Sequence, residues 1–350
     1  MAGNWREKIR KIDPYIPGEQ SKDADIVKLN ANENPYPPSP KVQEVLQKFP
    51  IDALRRYPDA NSGNLRRALA EHFAVKENQV FMGNGSDDVL ALCFQTFFCS
   101  GQPILFPDVT YSFYPVWCDL FHIPFIKIPL TDTYCIDPND YRRPNGGVVL
   151  PNPNAPTGIG EGLDFVKCLL ENNPDSIVII DEAYIDFGGT SCLPLLQQYE
   201  NLVVVQTMSK SRSLAGLRVG YAIASSELIA ALEAVKNSYN SYTMDMLTLE
   251  AATASVQDDA YFRRTCQKVI DTRERAKEEF QSLGFTVLPS QANFLLVSHP
   301  TKSAQFLFEQ LRKKKIFVRY FSQPRVSHCL RVTVGTDLEM QKLFAALRVI

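Results

Sequence analysis

The stretch Ser176-Ile177-Val178-Ile179-Ile180-Asp181 constrains the fold more than any other part of the 350-residue chain. Four consecutive branched apolar residues do not alternate with polar ones, so both faces of the strand they form must be covered. Strands of this kind belong to parallel sheets, whose long crossover connections lie on the faces as helices. The pattern recurs along the chain. Apolar runs at 79–82, 103–107, 125–129, 147–151, 176–181, 202–207 and 219–224 alternate with helical stretches at 64–74, 86–98, 111–120, 161–172 and 226–237. An α/β unit with a mainly parallel sheet covered by helices is expected.

The last third reads differently. A helix at 243–256 leads into a long charged helix near 259–283. Strands at 285–289 and 293–297, a helix at 301–314, strands near 316–321 and 329–334 and a final helix follow. This order predicts a smaller α+β unit. The first 35 residues, rich in Pro and Asn, hold little that can fold alone and are expected to pack on it. The chain then divides into a large unit, 36–240, and a discontinuous small one, 1–35 with 241–350.

Composition removes several classes of function. Thirty-seven basic residues against 39 acidic give a net charge of −2, without the basic excess of a nucleic-acid binder. No apolar run approaches the roughly 18 residues of a membrane span, and the charged start Met1-Ala-Gly-Asn-Trp-Arg-Glu-Lys8 lacks the apolar core of a signal peptide. A cytoplasmic location without membrane or nucleic-acid partners is expected. The eight cysteines show no C-x-x-C spacing and sit mostly among apolar residues, which reads as reduced structural thiols. His72, His122, His299 and His328 never fall at i, i+3 or i, i+4, so no metal site is expected. Chemistry must come from Lys, Arg, Asp, Tyr and Asn, or from a bound cofactor.

Asp181 ends the buried run 176–181, where ligands of open α/β sheets gather; taken alone it reads equally as a helix N-cap. Lys210, in Thr207-Met208-Ser209-Lys210, directly follows the run 202–207. Most lysines are solvated, but one at a strand end beside small hydroxyl residues can serve as a Schiff-base nucleophile. Arg218 lies at the edge of another apolar run. A strand-end Asp, Lys and Arg form the set that pyridoxal phosphate requires, for its ring nitrogen, its aldehyde and its phosphate respectively. Gly83-Asn84-Gly85-Ser86-Asp87-Asp88, between a strand and a helix, offers a phosphate cradle. It is not a dinucleotide fingerprint, since Asp88 stands where G-x-G-x-x-G needs glycine.

These motifs, in this order, resemble the fold-type-I pyridoxal-phosphate aminotransferases, and among them most closely the histidinol-phosphate aminotransferase family. The resemblance runs from Tyr15-Ile-Pro-Gly18 to Leu330-Arg331-Val-Thr-Val-Gly335. It includes Lys28-Leu-Asn-Ala-Asn32-Glu33-Asn34-Pro, Arg56-Tyr57-Pro-Asp59, Asn152-Pro-Asn154-Ala-Pro-Thr157-Gly158 and Asp181-Glu-Ala-Tyr184. It implies pyridoxal 5′-phosphate as cofactor, with Lys210 holding it covalently and moving the substrate proton. Asp181 would keep the ring nitrogen protonated, Tyr184 would hydrogen-bond the phenolic oxygen, and Tyr111 would stack on the ring. Ser209, Arg218 and the amides of Gly85 and Ser86 would bind phosphate, with Asp87 beside them in the cofactor site. Tyr57 would reach that phosphate from the neighbouring subunit of a homodimer. The family commonly has Asn immediately before Pro-Thr-Gly; here Ala155 stands there, and Asn154 is the candidate replacement. Asp88 replaces the more usual Glu.

For substrate, the resemblance implies histidinol phosphate and glutamate with 2-oxoglutarate. Arg331 would grip both anions, Arg319 would add charge for the phosphate, and Tyr15, Asn32 and Glu33 would complete the pocket. Arg319 also reads as a surface arginine near the run Lys313-Lys314-Lys315. Transamination of aromatic amino acids or threonine-phosphate decarboxylation would use the same Lys210, Asp181 and Arg331. A non-enzymatic binding or regulatory protein on the same fold is a further alternative.

Overall fold

The computed structural model describes residues 5–16, 19 and 25–350; Pro17 and Gly18 of the N-terminal motif lie outside the described residues. In chain order come β1 (Val27–Lys28), α1 (Pro40–Lys48), α2 (Gly63–Phe73), β2 (Val80–Gly83), α3 (Ser86–Phe97), β3 (Ile104–Pro107), α4 (Phe113–Phe121) and β4 (Phe125–Ile128). Then follow β5 (Val148–Pro151), α5 (Leu163–Asn172), β6 (Val178–Asp181), β7 (Leu202–Thr207), β8 (Gly220–Ala224), α6 (Ser226–Tyr239), α7 (Met246–Val256) and α8 (Asp259–Ser282). The chain closes with β9 (Thr286–Val287), β10 (Phe294–Ser298), α9 (Ala304–Lys313), β11 (Ile316–Phe317), β12 (Arg319–Tyr320), β13 (Cys329–Thr333) and α10 (Asp337–Leu347).

Seven strands form the large sheet in the order β2-β8-β7-β6-β5-β3-β4. All neighbours are parallel except β8, which runs antiparallel to both β2 and β7. The unbroken apolar run around Ile179 is explained by the two faces. Ile179, Val149, Val203 and Val205 pack with Phe94, Tyr114 and Leu232 from α3, α4 and α6. Val178, Ile180, Leu150 and Val204 pack against Val166, Leu169 and Leu170 of α5 on the other side. With both faces buried, the strands have no solvent side to mark by alternation.

The second sheet is antiparallel, β12-β13-β10-β9, and β1 pairs in parallel with β11. Val27 and Leu29 share a core with Leu295, Val332 and Leu343, so the N-terminal segment is closed onto the last third of the chain. Two details differ from the sequence expectation. The run 316–321 is divided, because β11 hydrogen-bonds to β1 while β12 joins β13. Residues 246–256, expected with the small unit, pack on the large one: Leu249, Ala251, Ala252 and Val256 of α7 lie against Val80, Met82, Leu65 and Tyr221. Among the described residues no helix is long and apolar enough to cross a membrane.

Candidate active site

A cavity opens where the C-terminal ends of β5, β6 and β7 meet the edge of the β12–β13 pair, the position at which parallel sheets bind ligands. Asp181, the last residue of β6, projects into it while only 5% exposed. Its Oδ1 accepts from the Ala183 amide at 3.1 Å and its Oδ2 from the Tyr114 hydroxyl at 3.1 Å. Burial pushes this carboxyl up to about 7; the two hydrogen bonds offset only part of that cost.

Lys210 sits in the turn after β7, its Nζ 3.4 Å from the Ala31 carbonyl and 5.6 Å from the Tyr184 ring centre. Thr207 aligns the same turn by accepting from the Ser209 amide at 3.1 Å and donating to its hydroxyl at 3.0 Å. Arg218, held in the left-handed region at φ 54°, donates to Ser209 Oγ at 3.3 Å and to Asp87 Oδ2 at 3.2 Å. The other Asp87 oxygen accepts from Tyr111 Oη at 2.7 Å. These groups surround the start of α3, whose first amides have no helical partner. Gly85 takes φ 88°, and a Cβ there would fall on the Arg218 guanidinium. A Cβ at Gly220 would fall on the Gly85–Ser86 peptide. The two glycines let an arginine, a hydroxyl and the Ser86 amide converge on one small volume.

The opposite wall comes from the small sheet. Arg319 and Arg331 occupy paired positions on β12 and β13, and both line the cavity. Arg331 donates to the Asn30 carbonyl at 2.9 Å and lies 5.4 Å from the Phe294 ring and 5.7 Å from Phe321. Removal from water lowers its pKa from the ordinary guanidinium value, and the charge of Arg319 pushes the same way. Arg319 lies 5.8 Å from the ring of Phe321. The loop after β12 is anchored by Arg325, which pairs with Asp108 at 2.8 Å. Asn32, at φ 55°, donates from Nδ2 to Tyr184 Oη at 3.0 Å and exchanges hydrogen bonds with Thr333. Tyr15 stacks on Phe113 at 4.2 Å and closes one side.

The structure thus gathers Tyr15, Asn32, Ser86, Asp87, Tyr111, Asp181, Tyr184, Ser209, Lys210, Arg218, Arg319 and Arg331 around one cavity. Gly85 stands directly behind Ser86 and Arg218, its own amide donating to the Gly83 carbonyl at 2.9 Å. Three expected residues are elsewhere. Glu33 is exposed and paired with Lys28 at 2.7 Å, because its neighbour Asn32 turns inward and sends the next side chain out. Asn154 is buried, but its Nδ2 is used by the Val109 carbonyl at 3.0 Å and Thr157 Oγ1 at 3.1 Å, so it offers no donor in place of the residue at 155. Ala155 lines the cavity without a polar group and packs beside Tyr184. Tyr57 is 79% exposed and stacked on Tyr242 at 4.7 Å, away from the cavity of its own chain. Sequence reasoning missed Tyr114, Thr110, Thr207 and Phe321. Tyr114 lies three residues after Tyr111, which stands just before α4, and that short spacing was the available signal.

Residues 24–347 match the family model for class I and II aminotransferases. The chain belongs to that family. It is 52% identical over 345 residues to the histidinol-phosphate aminotransferase of Lactococcus lactis subsp. cremoris (strain MG1363), covering 99% of this chain and 97% of that one. Among solved structures it is similar to the histidinol-phosphate aminotransferase of Sinorhizobium meliloti in complex with pyridoxal-5′-phosphate. The TM-score is 0.81 at 24% identity, covering 92% of this chain and 91% of the other. The L-threonine-O-3-phosphate decarboxylase of Porphyromonas gingivalis matches with a TM-score of 0.78 at 22% identity, over 93% and 99% of the two chains. The backbone is therefore common to this aminotransferase family and to a decarboxylase, and the side chains of the cavity must separate them.

The residues of this aminotransferase fit the cofactor. Among the described residues the buried Arg331 Nε and Thr110 Oγ1 have no hydrogen-bond partner, which marks polar surface suited to a ligand. Asp181 carries the cost of burial that a cationic ring N–H would relieve. Glycine at 85 and 220 keeps open the cradle that a phosphate needs.

Proposed function

We propose that the chain transfers an amino group between L-histidinol phosphate and 2-oxoglutarate, with glutamate and imidazole-acetol phosphate as the paired products. It does so in two alternating half-reactions in histidine biosynthesis, with pyridoxal 5′-phosphate as cofactor. The observation that carries this reading is the in-register pair Arg319 and Arg331, both lining the cavity that holds Lys210. Two guanidiniums suit a dianionic phosphate, and one of them suffices for a carboxylate. The 52% identity to a histidinol-phosphate aminotransferase supports the same substrate.

Bound, the cofactor supplies an electrophilic carbon and an electron sink. Lys210 Nζ would take the proton from the substrate Cα and deliver it to the carbon that was the cofactor's aldehyde, so that the amino group stays with the cofactor when the keto product leaves. Asp181 holds a proton on the ring nitrogen. Tyr184, whose oxygen already accepts from Asn32, keeps its own proton to donate to the phenolic oxygen. The Ser86 amide, Ser209 Oγ and Arg218 hold the phosphate, with Gly85 giving them room, and Tyr111 covers the ring. Asp87 orients Arg218 and Tyr111 together. Tyr15, Asn32 and the loop carrying Phe321 exclude water from the reacting atoms.

Homodimerisation belongs to this reading, with Tyr57 serving the partner's phosphate site. So do a cytoplasmic location, small-molecule partners only, and a division into a large cofactor-binding unit and a discontinuous small one. Lys210→Ala is expected to lose both the yellow colour of the loaded protein and more than a thousandfold of turnover. Retained turnover in that variant contradicts the mechanism.

A further inference from the structure

Tyr114 is fully buried on α4, among Phe94, Phe106, Trp117 and Tyr111, with ring centres 5.7 to 6.1 Å away. Aromatic packing alone does not call for tyrosine there, since phenylalanine would fill the same space without a hydroxyl to satisfy. Among the described residues the hydroxyl has one partner: it donates to Asp181 Oδ2 at 3.1 Å. The backbone amide of Ala183 takes the other oxygen at 3.1 Å. Asp181 is therefore fixed from both sides, one donor per oxygen, with the carboxylate facing the cavity. Three residues earlier, just before α4, Tyr111 makes the corresponding bond to Asp87 at 2.7 Å. A single turn of chain thus sends two phenols to the two carboxylates of the site.

We infer that Tyr114 is a positioning residue that holds Asp181 ionised and correctly turned toward the ring nitrogen of the cofactor, and so determines where the proton between them resides. The inference rests on the cofactor reading of the site above. A hydrogen bond to a carboxylate favours its charged form, so the donor at Oδ2 keeps the shared proton on the nitrogen. Without it the carboxylate is more basic and the proton moves toward oxygen, which weakens the electron sink. Burial and the neighbouring Asp181 charge raise the Tyr114 hydroxyl well above its ordinary pKa, so it remains a donor throughout the working range.

The test uses Tyr114→Phe, which removes one oxygen and leaves the ring, in wild-type and Asp181→Asn backgrounds. Each apo-protein is titrated with cofactor, and ring-¹⁵N-labelled cofactor reports the protonation of its nitrogen. The expected result is about a tenfold weaker cofactor dissociation constant in the wild-type background and less than twofold in Asp181→Asn. The nitrogen resonance should move toward its unprotonated position in the single variant Tyr114→Phe. Equal losses in the two backgrounds, or an unmoved resonance, overturn the role of Tyr114 while leaving the site reading intact. If Asp181→Asn by itself leaves cofactor affinity and resonance unchanged, the site reading falls, and this inference with it.

Discussion

Arg319 on β12 and Arg331 on β13 stand directly opposite each other in an antiparallel pair, two like charges on one wall of the cavity. Opposed like charges in a sheet are destabilising, and the ring of Phe321 lies within 6 Å of both guanidiniums, a cation–π contact that offsets some of the cost. An arrangement of this kind makes sense when a ligand supplies the compensating negative charge.

Removing Arg319 should therefore separate the two substrates. In Arg319→Ala, KM for histidinol phosphate is expected to rise about tenfold to a hundredfold, since a charge-assisted contact is lost. KM for glutamate, gripped by Arg331, should change less than threefold. Steady-state kinetics on both substrates checks this, and equal losses exclude the phosphate role of Arg319.

Asp181 gives the cofactor-free protein a pH signature. Its folded pKa is raised to about 7, while an unfolded aspartate titrates near 3.9. Between those values the folded form binds more protons than the unfolded one, so this group's contribution falls as pH rises and levels off above 7. Relative to Asp181→Asn, apo wild type should lose roughly 1.4 kcal/mol per pH unit across that window. Urea midpoints of both proteins at pH 5 and pH 8 measure it. A difference that does not change with pH contradicts the burial argument.

The phosphate cradle depends on two absent side chains. Gly220→Ala would drive a methyl group into the Gly85–Ser86 peptide, which must move because backbone cannot yield as a flexible side chain does. Cofactor affinity is expected to fall at least tenfold, with a stability loss of about 1–3 kcal/mol typical of overpacking. Equilibrium dialysis and thermal melts report the two effects. An unchanged cofactor affinity would remove the Ser86 amide from the phosphate site.

Tyr57 tests the assembly. It is exposed and stacked on Tyr242 in its own chain, and in the proposed homodimer it would serve the phosphate site of a second copy. Tyr57→Phe should weaken cofactor binding several-fold, about 1 kcal/mol for one hydrogen bond, without shifting the sedimentation of the dimer. A monomeric wild-type protein with full activity contradicts the shared site.

The strand ends were legible because a buried parallel strand leaves a distinctive unbroken apolar run, and a charged residue directly after it stands out. Asp181 and Lys210 were read in that way. Tyr114 was not, because within Phe113-Tyr-Pro-Val-Trp117 it looks like one more core aromatic, and its partner is 67 residues away. Glu33 was read from its motif, but a motif cannot tell that Lys28 takes its carboxylate outward. The division of 316–321 into strands of two sheets depends on pairing with β1, nearly 290 residues upstream. The place of α7 depends on its packing against α1 and α2. Local pattern carries neither kind of long-range information.

The most direct measurement is a single-turnover comparison of the cofactor-loaded protein with histidinol phosphate, phenylalanine and threonine phosphate, followed by loss of its visible absorbance and by carbon dioxide release. The proposed transamination of histidinol phosphate requires at least about a tenfold higher kcat/KM for that substrate, no carbon dioxide from any of the three, and recovery of the absorbance when 2-oxoglutarate is added. Preference for phenylalanine, or carbon dioxide from threonine phosphate, would contradict it.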